Sequence, residues 1–352
     1  MKLDLKPWAV GGLTAATVAA GIFVGSQSLA HFDRALWAYA IGTMLAAFAV
    51  AYRFTVWAQR PPSRMYFRRG AQLLLRRSFR FSVSSFKSGA PTRELTQAVA
   101  ANFVAQNFIR HRSVYRWIMH LCLSGGCTLA FAITFPLVFG WIHFEPFADN
   151  AERYRVNVAG FNVDAFSVHS AKAFVLFNAL NISAVFVLIG VVMAALRRAT
   201  DAGERAVQTF SEDILPLLLI FAVTATGLML TVSYKFLAGQ GHGIVAVVHA
   251  VSVIALLLYI PFGKLFHMFQ RTCSLCVSLY KKADAAGERA LCLRCGDDFA
   301  SQMHVDDLKT VLDQLGFNYR FATQSGEVHY QDICPACRRR LLALNQGKSV
   351  GR

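Results

Sequence analysis

Hydrophobic positions along this chain gather into six long runs separated by polar stretches. A helix needs about 20 apolar residues to cross roughly 30 Å of hydrocarbon. Six stretches qualify: Trp8 to Gly25, Ala35 to Trp57, Trp117 to Gly140, Ala171 to Leu196, Ile214 to Leu237 and Gly243 to His267. The pattern changes at Arg271. Beyond it Gln302 to Leu315 reads as a helix, and Asn318 to Ile333 alternates as one or two strands. The expected fold is an all-α polytopic membrane bundle of six transmembrane helices with a small C-terminal α+β domain. Four regions follow: two N-terminal helices over 1–58, a basic segment over 59–116, a four-helix core over 117–270 and a Cys-rich tail over 271–352.

Composition supports lipid as the solvent. Hydrophobic residues make up 55% of the chain and charged residues only 16%, where a soluble domain carries about a quarter. The net charge of +16 would suit nucleic acid if it were spread over one surface. Instead, twelve Lys or Arg and a single acid, Glu94, lie between Gln59 and Arg116. The positive-inside rule explains that concentration and no nucleic-acid partner is expected. The loop from Trp141 to His169 has two arginines and four acids, so it should face outside. Both termini are then cytoplasmic, in a multi-pass protein of the bacterial inner (plasma) membrane. Lys2, Lys6, the first apolar run and Ser28-Leu-Ala30 also fit a cleavable signal peptide; the length of the run favours a retained helix.

The basic segment is itself patterned. Gln72 to Phe81 and Thr96 to Ile109 mix apolar and basic residues as amphipathic helices do. Two readings stand: attachment to anionic lipid, or a docking platform for a soluble partner.

Ionisable residues inside spans are functional candidates by default. His249 and His267 are separated by eighteen residues in the sixth run. On one continuous helix that is five turns, which puts both on one face about 27 Å apart. Pro261 between them should kink the helix. The spacing suits two haems, one near each membrane surface. A bis-histidine iron needs a second ligand at each level. His120 begins the third run at the depth of His267, and His169 opens the fourth at the depth of His249. Ser124, Gly125 and Gly126 after His120 would let a flat macrocycle approach the backbone. His143 and His242 are outer alternatives in loops. Arg116, Lys264 and Arg271 can be read as propionate partners or as interfacial anchors. Asn178 and Asn181 can be read as lining a cavity or as an interhelical hydrogen bond.

Six of the eight cysteines form three Cys-x-x-Cys pairs. In a cytosolic tail these are metal or redox thiols rather than disulfides. Cys292, Cys295, Cys334 and Cys337 form two knuckles, the donor set of a tetrahedral zinc ribbon or of a rubredoxin-like iron site. Cys273 and Cys276 have no second pair to complete them and are read without a metal, though their place after His267 makes a redox role worth testing. Cys122 and Cys127 are expected to pack, and His304 and His329 to lie on the surface.

Trp117-Ile-Met-His120-Leu-Cys-Leu-Ser-Gly-Gly, the His249–His267 interval and Pro261-Phe-Gly-Lys-Leu-Phe-His267-Met-Phe together resemble the di-haem cytochrome b subunits of the respiratory nitrate reductase gamma-chain and heterodisulfide reductase type, over residues 100–275. The resemblance implies two b haems, held by His120, His267 and His249, with His169, matched by depth alone, standing in for the fourth ligand. It implies electron transfer between membrane quinone and a cytosolic oxidoreductase subunit, such as a molybdopterin or iron–sulfur protein. The chain would then be the electron-transfer subunit of a quinone-linked oxidoreductase. The family pattern has a further histidine ten residues after the first ligand; here that position is Ala130. A membrane anchor or assembly scaffold with a structural zinc domain, and a small transporter, are the rival readings.

Overall fold

Residues 4–84, 99–100, 104–323 and 326–351 are described by a computed structural model, the side chains of 74–84 and 322–323 excepted. In chain order the longer elements are α1 (Lys6–Gly25), α2 (Trp37–Gln59), α3 (Ser63–Ser84), α4 (Val114–Val138), β1 (Ile142–Pro146), β2 (Arg153–Val158), β3 (Phe161–Ser167), α5 (Ala171–Thr200), α6 (Leu215–Phe236), α7 (His242–Tyr259), α8 (Cys273–Ala285), β4 (Arg289–Leu291), β5 (Asp298–Ser301), α9 (Gln302–Gln314), β6 (Arg320–Thr323), β7 (Gly326–His329) and α10 (Pro335–Ser349). Among the described residues, α1, α2, α4, α5, α6 and α7 are long and apolar enough to cross a membrane. Large side chains such as Phe174, Val185, Phe186, Ile189 and Val192 on α5 stay exposed. That is the surface expected of helices whose outer solvent is hydrocarbon. These helices mark the chain as a membrane protein.

The molecule divides into two compact units. In the first, comprising α1, α2 up to Thr55, α4–α7 and the strands β1–β3, small residues let helices approach closely. A side-chain carbon at Gly126 would strike Val187 and the Ser183 carbonyl of α5. One at Gly190 would strike Leu123 and the Met119 carbonyl of α4. Polar residues add to the packing: Thr231 donates to Asn181 Oδ1 at 2.9 Å and Lys235 to Asn178 Oδ1 at 3.0 Å, joining α6 to α5. The two asparagines thus act as interhelical hydrogen-bond partners.

The expected outer loop is a three-stranded antiparallel sheet in the order β1-β2-β3. Val156 faces Phe144 on one side and Asp164 on the other. The β2–β3 turn is Ala159-Gly160, both with positive φ (48° and 88°). This is the twist that two-residue hairpins require, achieved without the Asn-Gly pair that would have announced it.

The sixth span is shorter than expected. α7 stops at Tyr259; a turn and a 3-10 segment, Lys264–Phe266, follow before a short helical piece begins at His267. Pro261 has no N–H to give the helix. Gly263 is extended (ψ −169°) and lies under the Tyr259 ring, where any side-chain carbon would collide. The carbonyl of Pro261 is taken up by the Arg53 guanidinium, which also stands 4.4 Å over the Phe266 ring. His249 and His267 therefore do not share one continuous helix face. The kink expected at Pro261 is a full stop and restart.

The second unit joins α3 to the chain from Phe269 onward. Arg69 of α3 makes a bidentate pair with Asp307 of α9, with contacts of 2.8 to 2.9 Å. Tyr66 meets Tyr280 of α8 edge-on at 5.2 Å. Gly70 leaves just enough room for Cys276. The helix expected over Gln72 to Phe81 is thus part of a longer one, and its first turns are covered by the chain's own tail. Of the second amphipathic stretch, residues 96–98 and 101–103 lie outside the described residues. Within the remainder, Asn107–Arg110 is a short helical turn. In the tail, α9 and the β6–β7 hairpin match the expected helix and strands.

Candidate functional site

His120 sits in the second turn of α4, whose start is capped by Ser113 accepting from the Arg116 N–H. His267 opens the helical piece after the break. The two half-buried rings stand edge-on to one another, with centres 6.4 Å apart and planes at 75°. Two imidazoles on opposite sides of one metal, each bound at about 2 Å, hold their ring centres about 6 Å apart.

The surroundings fix which nitrogen each ring offers. His120 Nδ1–H donates to Gln106 Oε1 at 2.6 Å, and His267 Nδ1–H donates to the Lys264 carbonyl at 2.8 Å. Both tautomers place the lone pair on Nε2. This is the usual arrangement around a metal-bound histidine, where an oxygen acceptor orients the ring and raises its basicity. Gln106 is buried and itself anchored: its Nε2 donates to Ser124 Oγ at 2.8 Å, and Ser124 donates to the His120 carbonyl. The left-handed backbone of Gln106 (φ 50°) positions the amide. Sequence reasoning missed Gln106, one of several uncharged polar residues (Gln97, Asn102 and Asn107 among them) in the stretch before His120. Gly126, expected to cradle a macrocycle, is filled by α5 instead, while Gly125 has open space beside it.

His249 and His169 are not brought together. His249 is half-buried against α6, where Gly227 lies beneath its ring. Thr226 Oγ1 donates to the Ala222 carbonyl at 2.6 Å and stands 2.9 Å from His249 Nδ1, as the acceptor of that ring. The side chain of His169 is 75% exposed between β3 and α5, 3.7 Å from Glu152. Of the basic residues considered as propionate partners, Lys264 pairs with Asp213 at 2.6 Å and Arg116 lies 3.9 Å from Glu204. A cleft of about 420 Å³ between α4 and α5 is lined by Ser113, Tyr115, Arg116, Arg197 and Asp201. Its lining is mostly polar, unlike the apolar pocket that a quinone ring prefers.

In the tail, Cys292 and Cys295 lie in the β4–β5 turn, Cys334 caps α10 and Cys337 is in its first turn. Their four sulfurs cluster within 4.8 Å of one another. Cys295 and Cys334 sulfurs are 3.8 Å apart, close to the spacing of thiolates around one tetrahedral metal at about 2.3 Å. Backbone N–H groups of Arg294 and Cys334 point at Cys292 Sγ, at 3.5 and 3.2 Å. Burial works to raise the Cys292 thiol, but N–H groups from Cys334, Cys295 and Arg294 outweigh it and hold it down at about 6. Ile333, Phe299, Phe321 and Leu341 pack around the cluster. The cluster is able to hold zinc or iron. Cys273 and Cys276 differ: burial pushes Cys273 up to about 11 and Cys276 up as well, so both stay thiols in the α3–α8 packing.

Neither tail histidine is the surface residue expected. His329 is 7% exposed, and its Nδ1 accepts the Gln331 N–H. His304 lies 3.2 Å from the Tyr280 hydroxyl. His329 is buried at the end of β7, and His304 is partly covered by Tyr280 of α8.

No protein-family model matches this chain, and no curated protein or solved structure is significantly similar to it, so these arrangements of ligands stand on the chain's own geometry.

Proposed function

We propose that the chain is a membrane cytochrome b-type electron-transfer subunit, with a b haem held between His120 and His267. One observation carries this reading: the two rings meet at bis-ligand distance, each with its Nδ1 engaged by an oxygen acceptor. His120 and His267 would hold the haem, which would supply a one-electron centre whose potential depends on its ligands and their hydrogen bonds. The chain's own residues would do the rest. Gln106 and the Lys264 carbonyl hold the ring protons on Nδ1. Arg53 secures the Pro261 carbonyl and so the start of the segment that carries His267. The second haem, at His249 and His169, has depth in its favour but no ring-to-ring approach. The reading accordingly centres on one haem.

Membrane quinone as electron donor or acceptor, a cytosolic oxidoreductase partner and residence in a bacterial inner membrane with the tail in the cytoplasm complete the proposal. They rest on the resemblance in sequence and on the charge asymmetry of the loops. The tail cysteines are assigned to structural zinc in a ribbon-like fold, with a rubredoxin-like iron as the redox-active alternative.

A reduced-minus-oxidised spectrum of the purified full chain tests the reading. A b-type spectrum with one haem per chain is expected. No haem absorption on dithionite reduction sinks it, and two haems per chain would restore the outer pair.

A further inference from the structure

A third group of metal-type ligands shares no residue with the two sites above. His31, in the connection between α1 and α2, stacks on His143 of β1, with ring centres 4.0 Å apart and planes at 13°. Glu145, two residues along the same strand and so on the same face, has its Oε1 3.5 Å from His143 Nε2. The donor atoms of the three side chains all lie within 4.8 Å of one another. We propose that His31, His143 and Glu145 bind a divalent transition metal, Zn²⁺ or an ion of similar preference.

Geometry and chemistry both point this way. Ligand atoms about 2 Å from a tetrahedral ion stand about 3.3 Å apart, so the His143–Glu145 spacing is already close. Small side-chain rotations bring in His31. Two imidazoles and a carboxylate are a known zinc donor set, which leaves a fourth position open. The His143 side chain is 18% exposed and its Nδ1 is buried without a hydrogen-bond partner. That is an unusual state for a ring nitrogen in a finished polar network. His31 is oriented by Gln27, whose Oε1 lies 3.0 Å from His31 Nε2, the kind of outer contact that metal-bound histidines carry.

The backbone is built to bring these residues together. Gln27, Ser28 and Leu29 are three consecutive non-glycine residues in the left-handed region (φ 54°, 59° and 69°). They fold over the buried Ser26, whose Oγ accepts the Leu29 N–H. Gly140, at φ 69°, lets the chain leaving α4 pass directly against the His31 carbonyl. The metal would clip the α1–α2 connection to the sheet and present its open position to water, since the Glu145 side chain is 44% exposed.

The test uses the full chain in detergent, stripped with chelator and titrated with Zn²⁺. The expected result is two separable classes of bound Zn²⁺. Cys292→Ser removes one class and leaves the other. His143→Gln and Glu145→Gln each weaken that remaining class by at least about tenfold, since losing a direct ligand should cost no less than losing an outer contact, which costs about 10–100-fold. Glu145→Gln is a half-exposed change that should not disturb folding, so it decides the matter if His143→Gln folds poorly. A single class of Zn²⁺ in the parent chain, lost with Cys292→Ser, overturns the proposal. So does Zn²⁺ affinity unchanged in Glu145→Gln.

Discussion

The cysteines of the tail and the histidines of the bundle bring ligands together in two different ways. In the tail, each ligand is placed by a tight local turn. N–H groups within three residues of a sulfur, or from the facing knuckle, aim at it. In the bundle, each ligand depends on where a helix starts, stops and faces. His120 and His267 meet because one helix begins and another breaks at the same place. His169 and His249, paired in the sequence by expected depth, do not meet. Local turns make ligand geometry robust to register; long helices make it sensitive to a single stop signal.

The comparison is broken first by the largest effect. Cys292→Ser should cost the tail its metal and its fold together, because binding free energy at such a site is folding free energy. Metal analysis and amide exchange in residues 289–349 would check it; a tail that stays protected without metal would make the cluster incidental. Next, His267→Ala should abolish haem absorption, while His249→Ala should leave most of it. Equal losses would mean that the outer histidine is also a ligand. A smaller change sharpens the point: Gln106→Leu keeps both imidazoles but removes the acceptor at His120, so haem affinity should fall roughly 10–100-fold, measured by haem titration of the apoprotein.

The smallest effect concerns His329. Burial first, and then nearby Lys309, hold its pKa below the usual value. The folded tail thus prefers the neutral ring, and the unfolded chain takes up the proton more readily. That contribution is fully present above about pH 6.5 and is lost as pH falls through that value towards the lower folded pKa. His329→Gln should flatten the acid side of the tail's stability profile, read by denaturant titration at several pH values.

Much of this was legible in the chain. Six apolar runs long enough to span a bilayer leave few other solutions, and two Cys-x-x-Cys pairs carry their geometry with them. The sheet over 142–167 was hidden because its turn is Ala159-Gly160 and its strands mix charge with aromatics. The break after Tyr259 was half visible: Pro261 signals a disturbance, but only the packing of Tyr259 over Gly263 turns a kink into a stop. His31 could not be linked to His143 by spacing, because three long helices (α2, α3 and α4) and more than a hundred residues separate them. Gln106 was silent for the opposite reason. It is an ordinary amide until the fold brings it to His120. The pairing of α3 with the tail rests on Arg69 and Asp307, and one charge among many reveals no partner.

Arg53 gives the first two helices a significance beyond membrane attachment. It reaches from α2 to the Pro261 carbonyl and over Phe266, the residue immediately before His267. A version of this protein trimmed to residues 114–270 would keep both proposed haem ligands in its sequence yet lose the strut beneath one of them. The smallest unit that holds His267 as it stands beside His120 therefore begins before α4, and α2 belongs to it.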